Sequence, residues 1–393
     1  MMQITDQVSS KSIQIVELDP QIDSRWDAFV AGHPDGLVYH HSAWLEVLKR
    51  EYDHEAIRLA AINADGQICG VLPLTYVRGL PFGGRGHATR RRLASLSRTP
   101  VAGPLASDNR VAVALVQAAC ERIQGQPKMA LELKLWTTAI NGLMHGLTCL
   151  PWSPTYLVTL PARLQDLRFG NSENHGKIKW AIKKATKQGV RVRPAETVAD
   201  LQSWYELYLE TMRWHATPAR PYRFFKSCWD LLRSRGMMRL LLAEQDEGGQ
   251  SRLLAGSMFL MFGQTVFYAF NGRHREDLEL RPNDVIQWHA IHDACSAGYR
   301  YYDMGEVAEG NTGLVSFKLK WGAKPQEIYR IYYPVSSSLE AHSTESAADD
   351  DTRRLRGGIW QFVLDQRHHI DATWQRLPLP TTAALGDWFH RFL

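Results

Sequence analysis

The sequence predicts an α/β protein made of two similar domains in tandem. The first observation behind this is a helix-and-hairpin unit that occurs twice. One copy runs from Ser42-Ala43-Trp44-Leu45, on a helical stretch ending at Arg50, into Ile57-Arg58-Leu59-Ala60-Ala61, a turn at Asp65-Gly66, and Gly70-Val71-Leu72-Pro73-Leu74. The other runs from Ser227-Cys228-Trp229-Asp230, ending at Arg235, into Met238-Arg239-Leu240-Leu241-Leu242, a turn at Glu247-Gly248-Gly249, and Gly256-Ser257-Met258-Phe259-Leu260. Trp44 and Trp229 lie 185 residues apart, Arg58 and Arg239 181, and Gly70 and Gly256 186, with the drift falling in turns. So long an offset marks a duplicated domain, since solenoid periods are far shorter. The second observation is length: 393 residues accommodate two domains of about 150 residues with additions. The third is the element order of the second half, which reads helix, helix, antiparallel meander, helix, strand, helix, strand.

In the first unit a strand is expected over residues 12–18, helices over 24–31 and 42–50, and strands over 56–62 and 67–76. Gly and Pro punctuate 79–86 and 100–104, which read as loops. Asp108 caps a helix to residue 122 with Val113, Val116, Gln117 and Cys120 on one face, and strands over 129–136 and 156–160 close the unit. The second unit opens with a helix over 173–188, ended by Gly189, whose stripe Ile178, Ala181, Ile182 and Ala185 has helical spacing. Lys177, Lys179, Lys183, Lys184 and Lys187 fill much of its remaining surface. A helix over 198–213, strands over 237–243, 253–262 and 265–270, a helix from Arg281 to 297, a strand over 299–304, a helix over 312–321 and a strand over 328–333 follow. Residues 253–272 carry no charge and are long enough to cross a bilayer. Gly263-Gln264 splits them, however, and β-branched and aromatic residues on both sides predict a buried hairpin.

The domain boundaries expected are 1–165, 166–335 with the candidate active site, a linker over 336–356 and amphipathic helices over 357–393. The linker is expected because 336–352 is rich in Ser, Ala, Asp and Glu and has little apolar surface to bury. In the tail, Ile359, Phe362, Val363, Ile370, Trp374 and Leu377 form one apolar face, stopped by Pro378 and Pro380. Leu385, Trp388, Phe389 and Phe392 form another. These faces suit docking on the body, or contact with a membrane surface or a second subunit.

Hydrophobic and charged fractions of 45% and 22% are those of a globular protein, and a net charge of +5 suits a phosphorylated or polyanionic ligand without requiring one. The five cysteines form no Cys-x-x-Cys pair, which argues against a zinc site or a disulfide framework. The first residues lack a signal peptide's basic and apolar runs, so a cytoplasmic location is expected.

Four stretches carry a family resemblance: Leu280-Arg281-Pro282-Asn283-Asp284-Val285-Ile286-Gln287-Trp288, Tyr302-Asp303-Met304-Gly305, Glu309-Gly310-Asn311-Thr312-Gly313-Leu314 and Phe317-Lys318-Leu319-Lys320-Trp321-Gly322-Ala323. They resemble the C-terminal half of the FemAB family, peptidoglycan bridge-forming aminoacyltransferases and relatives within the GNAT superfamily. The basic stretch 177–192 is similar to the helix that opens their second domain. Thr211-Met212-Arg213-Trp214-His215 with Thr217-Pro218, and residues 374–380, resemble the branch associated with exopolysaccharide and exosortase systems. The resemblance covers most of 15–335 and is specific toward its end. It implies two tandem GNAT-like (acyl-CoA N-acyltransferase) domains with mixed, mostly antiparallel sheets flanked by helices. It also implies transfer of an acyl or aminoacyl group to an amine of a cell-envelope, peptidoglycan or exopolysaccharide precursor. The donor would be aminoacyl-tRNA or acyl-CoA, with no tightly bound cofactor, in the cytoplasm, with the inner membrane surface as an alternative through the C-terminal helices. The coiled-coil arm of some members has no counterpart.

Such a reaction needs stabilisation of an oxyanion, removal of an amine proton and alignment of both substrates. Lys318 is the candidate for the carbonyl oxygen or a phosphate, and the resemblance places the family's Phe-Lys pair on Phe317 and Lys318. Solvation on a helix face is the alternative for Lys318 and the preferred reading for Lys320. Asp303, at a strand end before Glu306 and Glu309, is a candidate proton acceptor or a helix cap. His215 is a second candidate base, with an imidazole that titrates near neutrality. Arg213 and Arg281 are candidates for the acceptor's anionic groups, and Asn311 for a substrate amide or an N-cap. Lys177 and its neighbours, with Arg90-Arg91-Arg92, suit a polyanion, although no aromatic platform is expected among them. The pyrophosphate-binding pattern of acetyl-CoA enzymes is absent: Gln67-Ile68-Cys69-Gly70-Val71-Leu72 ends in Leu72 and lies in a strand. Two rivals stay open, a CoA-dependent N-acetyltransferase and a non-catalytic RNA- or polyanion-binding protein.

Overall fold

The duplicated hairpins lie in two separate sheets, each one strand in from an edge. The computed structural model describes residues 13–52, 55–79, 91–126, 129–307, 310–334, 367–390 and 392. The Gly/Pro loop from residue 80 on, Arg90, Glu309, the expected linker and the apolar positions 359–363 lie outside them.

The first sheet runs, in spatial order, β1 (Gln14–Glu17), β2 (Ala56–Ile62), β3 (Ile68–Val77), β4 (Arg92–Ala94), β6 (Ala130–Leu135), β15 (Tyr329–Tyr333) and β7 (Thr148–Pro151), with β5 (Leu105–Ala106) paired to β3. The second runs β14 (Lys324–Gln326), β8 (Thr155–Thr159), β13 (Tyr301–Glu306), β12 (Thr265–Arg273), β11 (Gln250–Phe262), β10 (Met238–Glu247) and β9 (Val190–Pro194). Each sheet is antiparallel except for one pair, β4 with β6 and β12 with β13. The uncharged run at 253–272 is the expected hairpin, β11–β12.

The units exchange strands. The strand at 155–159, expected to close the first unit, lies in the second sheet between β14 and β13. The last strand, β15, expected in the second sheet, lies in the first between β6 and β7. Side-chain alternation tells which face of a strand is buried but not which partner it pairs with, so both strands were legible as strands and misassigned to a sheet.

Helix α3 (Asn109–Ile123) starts where expected, with Asp108 accepting from the N–H groups of Arg110 and Val111 at 2.8 and 3.1 Å. Its buried face is Val111, Leu115, Val116 and Ala119, packed on Leu59, Leu72, Leu131 and Leu133. Gln117 is exposed, so the stripe is rotated from the expected one, because Val111 and Leu115 carry more apolar area than Val113 and Gln117. Helix α4 (Ser172–Lys187) buries Ile178, Ala181 and Ala185 as its periodicity requires. Helices α5 (Val198–Trp214) and α7 (Pro282–Ser296) flank the second sheet. α5 approaches β12 at Gly272, where a Cβ would stand 2.6 Å from the Tyr208 nitrogen and 2.9 Å from the Leu207 carbonyl carbon. Both obstacles are backbone and have no rotamer to change. Gly272→Ala is therefore expected to lower stability by about 1–3 kcal/mol, read as a fall in the urea midpoint at unchanged slope.

The repeated helices, α2 (Ser42–Tyr52) and α6 (Tyr222–Leu232), pack against each other. Trp44 meets Phe224 edge-on at 6.0 Å, and the Ser227 hydroxyl donates to buried Glu51 at 2.7 Å. One apolar core runs through both units, from Trp26 and Trp44 to Trp204, Phe225, Met258 and Phe267. The tail forms α9 (Arg367–Arg376) and α10 (Leu379–His390), after α8 (Thr312–Lys320), and docks on α5. No helix among the described residues is long and apolar enough to cross a membrane.

Candidate active site

The two parallel strand pairs are short, and a cavity opens where they diverge. β12 and β13 pair only at Thr265–Tyr301, Val266–Tyr302 and Phe267–Asp303. β4 and β6 pair only at Arg92–Ala130, Leu93–Leu131 and Ala94–Glu132. The chain beyond these pairs, from both units, lines a cavity of about 190 Å³. The first unit supplies Tyr39, Trp44, Arg98 and Trp136, and the second Thr155, Arg220, Tyr268, Phe270, Asp303 and Glu306.

One wall is acidic. Asp303 is buried and accepts hydrogen bonds from the Thr155 hydroxyl and, at 2.7 Å, from the Gly305 N–H. Burial pushes its pKa up to about 6, against the opposing pull of those hydrogen bonds and of Lys318. Glu306 accepts from the Trp152 indole at 3.0 Å. Behind this wall sits Lys318, 2% exposed, whose Nζ donates to the carbonyls of Gly305 and Glu306 at 2.7 and 3.1 Å. Burial lowers its pKa to about 8, opposed by Asp303 and Glu306. The lysine holds the turn that presents both carboxylates. Gly305, with φ of +82°, supplies the left-handed residue the turn needs.

The facing wall is cationic. Arg220 donates from Nη1 to the Tyr52 hydroxyl at 2.8 Å and from Nη2 to the Arg98 carbonyl at 2.6 Å, with its guanidinium 4.5 Å over the Phe224 ring. Among the described residues neither Arg98 nor Arg220 forms an ion pair with a carboxylate. The buried Nε of Arg98 and the indole N–H groups of Trp44 and Trp136 have no hydrogen-bond partner there either. Sequestered cations and donors without partners are costly unless a ligand supplies the acceptor. The loop bearing Arg98 is held from below by Lys134, whose Nζ donates to the Leu96 and Thr99 carbonyls at 2.8 and 3.0 Å. Each wall is thus fixed by a buried lysine bonded to carbonyls of its loop.

Of the residues singled out in the sequence, Asp303 lines the cavity and Lys318 lies directly behind it. Phe317 is partly buried and packs against the core beside Trp321, with the rings 6.4 Å apart. Lys320 is partly buried and pairs with buried Asp284 at 2.5 Å. His215 is an exposed cap at the end of α5, against Trp214. Arg213 donates to the Leu377 carbonyl at 3.4 Å, and Arg281 is an exposed left-handed residue ahead of α7. Asn311 caps α8 by accepting from the Leu314 N–H at 3.1 Å. Lys177 pairs with Glu173 at 2.6 Å on an exposed face. Trp180, 58% exposed, stands on the same helix as the lysines, 5.6 Å from Lys184, an aromatic overlooked in the sequence. Arg92 is buried against Glu132 at 2.8 Å, so it is no part of a surface basic cluster. Thr155, Tyr39, Arg98 and Arg220 were not anticipated. Arg220 had a signal, two residues beyond the matched Thr217-Pro218.

Residues 172–318 match the family model of the acetyltransferase (GNAT) domain. Among solved structures the chain is similar to FemX, with a TM-score of 0.64 at 19% identity, covering 84% of this chain and 99% of that one. It is also similar to the C-terminal domain of a putative lysylphosphatidylglycerol synthetase from Agrobacterium fabrum, with a TM-score of 0.53 at 13% identity, covering 81% and 94%. L-PGS from Bacillus licheniformis gives a TM-score of 0.53 at 11% identity, covering 86% and 98%. A sequence search of curated proteins gave no match. At these identities the structural likenesses establish the fold. The chain is thus an acyltransferase that carries a GNAT domain over residues 172–318, within a fold of two sheets flanked by helices.

Proposed function

We propose that the chain is a FemAB-type N-acyltransferase that moves an acyl or aminoacyl group from an activated donor to an amine of a cell-envelope or exopolysaccharide precursor. The observation that carries this reading is Asp303, a buried carboxyl with a pKa of about 6, in a cavity shared by both units and lined also by two arginines that form no ion pair among the described residues. At neutral pH it is ionised and able to take the proton of an attacking amine. The amine nitrogen bonds to the donor carbonyl carbon, the ester or thioester bond to the carrier breaks, and the amine's proton passes to Asp303. Glu306 helps to hold the amine, and Arg98 and Arg220 receive an anionic group of the acceptor. Lys318 acts by holding the Gly305–Glu306 turn rather than by touching the carbonyl, a different role from the one the Phe-Lys motif implies. Fold similarity to FemX and to a putative lysylphosphatidylglycerol synthetase supports an aminoacyl donor and an envelope acceptor. The reaction then belongs in the cytoplasm, where such donors are made.

The matched family description favours acetyl-CoA as a second reading of the donor. Thermal unfolding of the purified chain with acetyl-CoA or with charged tRNA separates the two. A donor at 100 times its dissociation constant stabilises the fold by about 2.7 kcal/mol. We expect charged tRNA to raise Tm and acetyl-CoA to leave it unchanged; the opposite pattern assigns the CoA-dependent reaction.

A further inference from the structure

The C-terminal helical hairpin closes on the segment that carries Arg220. On one flank Gln375 donates from Nε2 to the Trp214 carbonyl at 2.8 Å, and Arg213 donates to the Leu377 carbonyl at 3.4 Å. On the other flank Asp387 pairs with Arg223. Between them α10 lies so close that a Cβ on Gly386 would stand 2.3 Å from the Ala219 carbonyl oxygen and 2.8 Å from its nitrogen. His390 ends the helix, 1% exposed. Its Nε2 is 3.3 Å from the Pro218 carbonyl and 3.5 Å from Nη2 of Arg98. Its ring is 6.4 Å from that of Tyr52, the phenol that receives Arg220.

The choice of imidazole has a physical reason. Burial first, and then Arg98 and Arg220, push its pKa down to about 2, so the ring is neutral. The Pro218 carbonyl can only accept and the Arg98 guanidinium can only donate; the carbonyl is the nearer of the two, so the hydrogen is assigned to Nε2, which donates to it. A carboxylate at this place would pair with the arginines and neutralise them. The neutral ring fixes residues 218–220 and leaves both guanidiniums their charge.

We propose that the hairpin is a positioning element of the cavity, with Gly386 and His390 seating residues 218–220 so that Arg98 and Arg220 are held ready for an oxyanion of the acceptor. This rests on the reading above that the cationic wall receives such a group.

Calorimetric titration of the full chain with inorganic pyrophosphate tests it. The wild type is expected to bind and Arg220→Gln to lose binding. His390→Leu, which keeps the bulk but removes the donor, is expected to weaken binding about 10-fold, a change of about 1.4 kcal/mol. His390→Gln, with an amide donor in place of Nε2–H, is expected to restore it to within about twofold. Gly386→Val, which pushes α10 away from Ala219, is expected to weaken binding as His390→Leu does and serves as the second variant if His390→Leu does not fold. Wild-type affinity in His390→Leu or Gly386→Val, while Arg220→Gln has lost binding, overturns the role of the hairpin and leaves the anion site standing. Equal loss in His390→Leu and His390→Gln also overturns it, since a specific donor would then not matter. Absence of wild-type binding, or full binding by Arg220→Gln, removes the anion site and the hairpin's role together.

Discussion

Replacing Asp303 with Asn is expected to lower turnover by about 10²–10⁴-fold, the usual contribution of a positioned base. The fold should survive, because the Asn carbonyl can still accept the Gly305 N–H. In the wild type kcat/KM should rise with pH through about 6, where the carboxyl ionises, and level off above it. The stability record gives an independent check. The folded pKa lies above the ordinary 3.8, so burial favours the protonated form. Stability from this group is fully present below about pH 4 and is lost as pH rises through about 6. Tm of the Asn variant relative to wild type should therefore climb from pH 4 to pH 7. An acid limb that persists in Asp303→Asn assigns the base elsewhere, with Glu306 the next group in the cavity.

Lys318→Met should cost about 3 kcal/mol, one of the largest single effects available in the second unit. The ammonium satisfies two carbonyls, and an unsatisfied buried group costs about 1–3 kcal/mol. Methionine keeps most of the volume, so the loss reports hydrogen bonding rather than an empty space. Turnover should fall as well, because the Gly305–Glu306 turn that aims both carboxylates is released. Denaturant unfolding and activity measured on the same preparation check both. Full stability with abolished turnover would point instead to a lysine that leaves the turn and reaches the substrate.

How much of this was readable beforehand depended on the kind of information involved. The duplication was visible because Trp44 and Trp229 mark helices that pack on one another, and Gly70 and Gly256 mark strands crowded by a helix. Asp303 and Lys318 were found through local motifs, but a motif does not say which way a side chain faces. Lys318 turned inward to carbonyls at the end of β13, and Lys320 toward buried Asp284 in α7, because each found its partner on another element. Arg98 was hidden for another reason. It owes its place to a left-handed backbone, φ +58°, in a loop supported from a different strand by Lys134. Arg220 is steered by Tyr52, 168 residues away. Nothing in local composition encodes such encounters.

The crossed strands also bear on how the molecule is made. With β15 wedged between β6 and β7, the N-terminal sheet stays in two pieces until residue 333 has left the ribosome. The C-terminal sheet, conversely, takes in β8, the strand that follows β7 of the first sheet in the chain. Neither half can finish while the other is missing, so the nascent chain must hold β7 and the outer edge of β6 without their partner until β15 is made, and its two lobes are completed together.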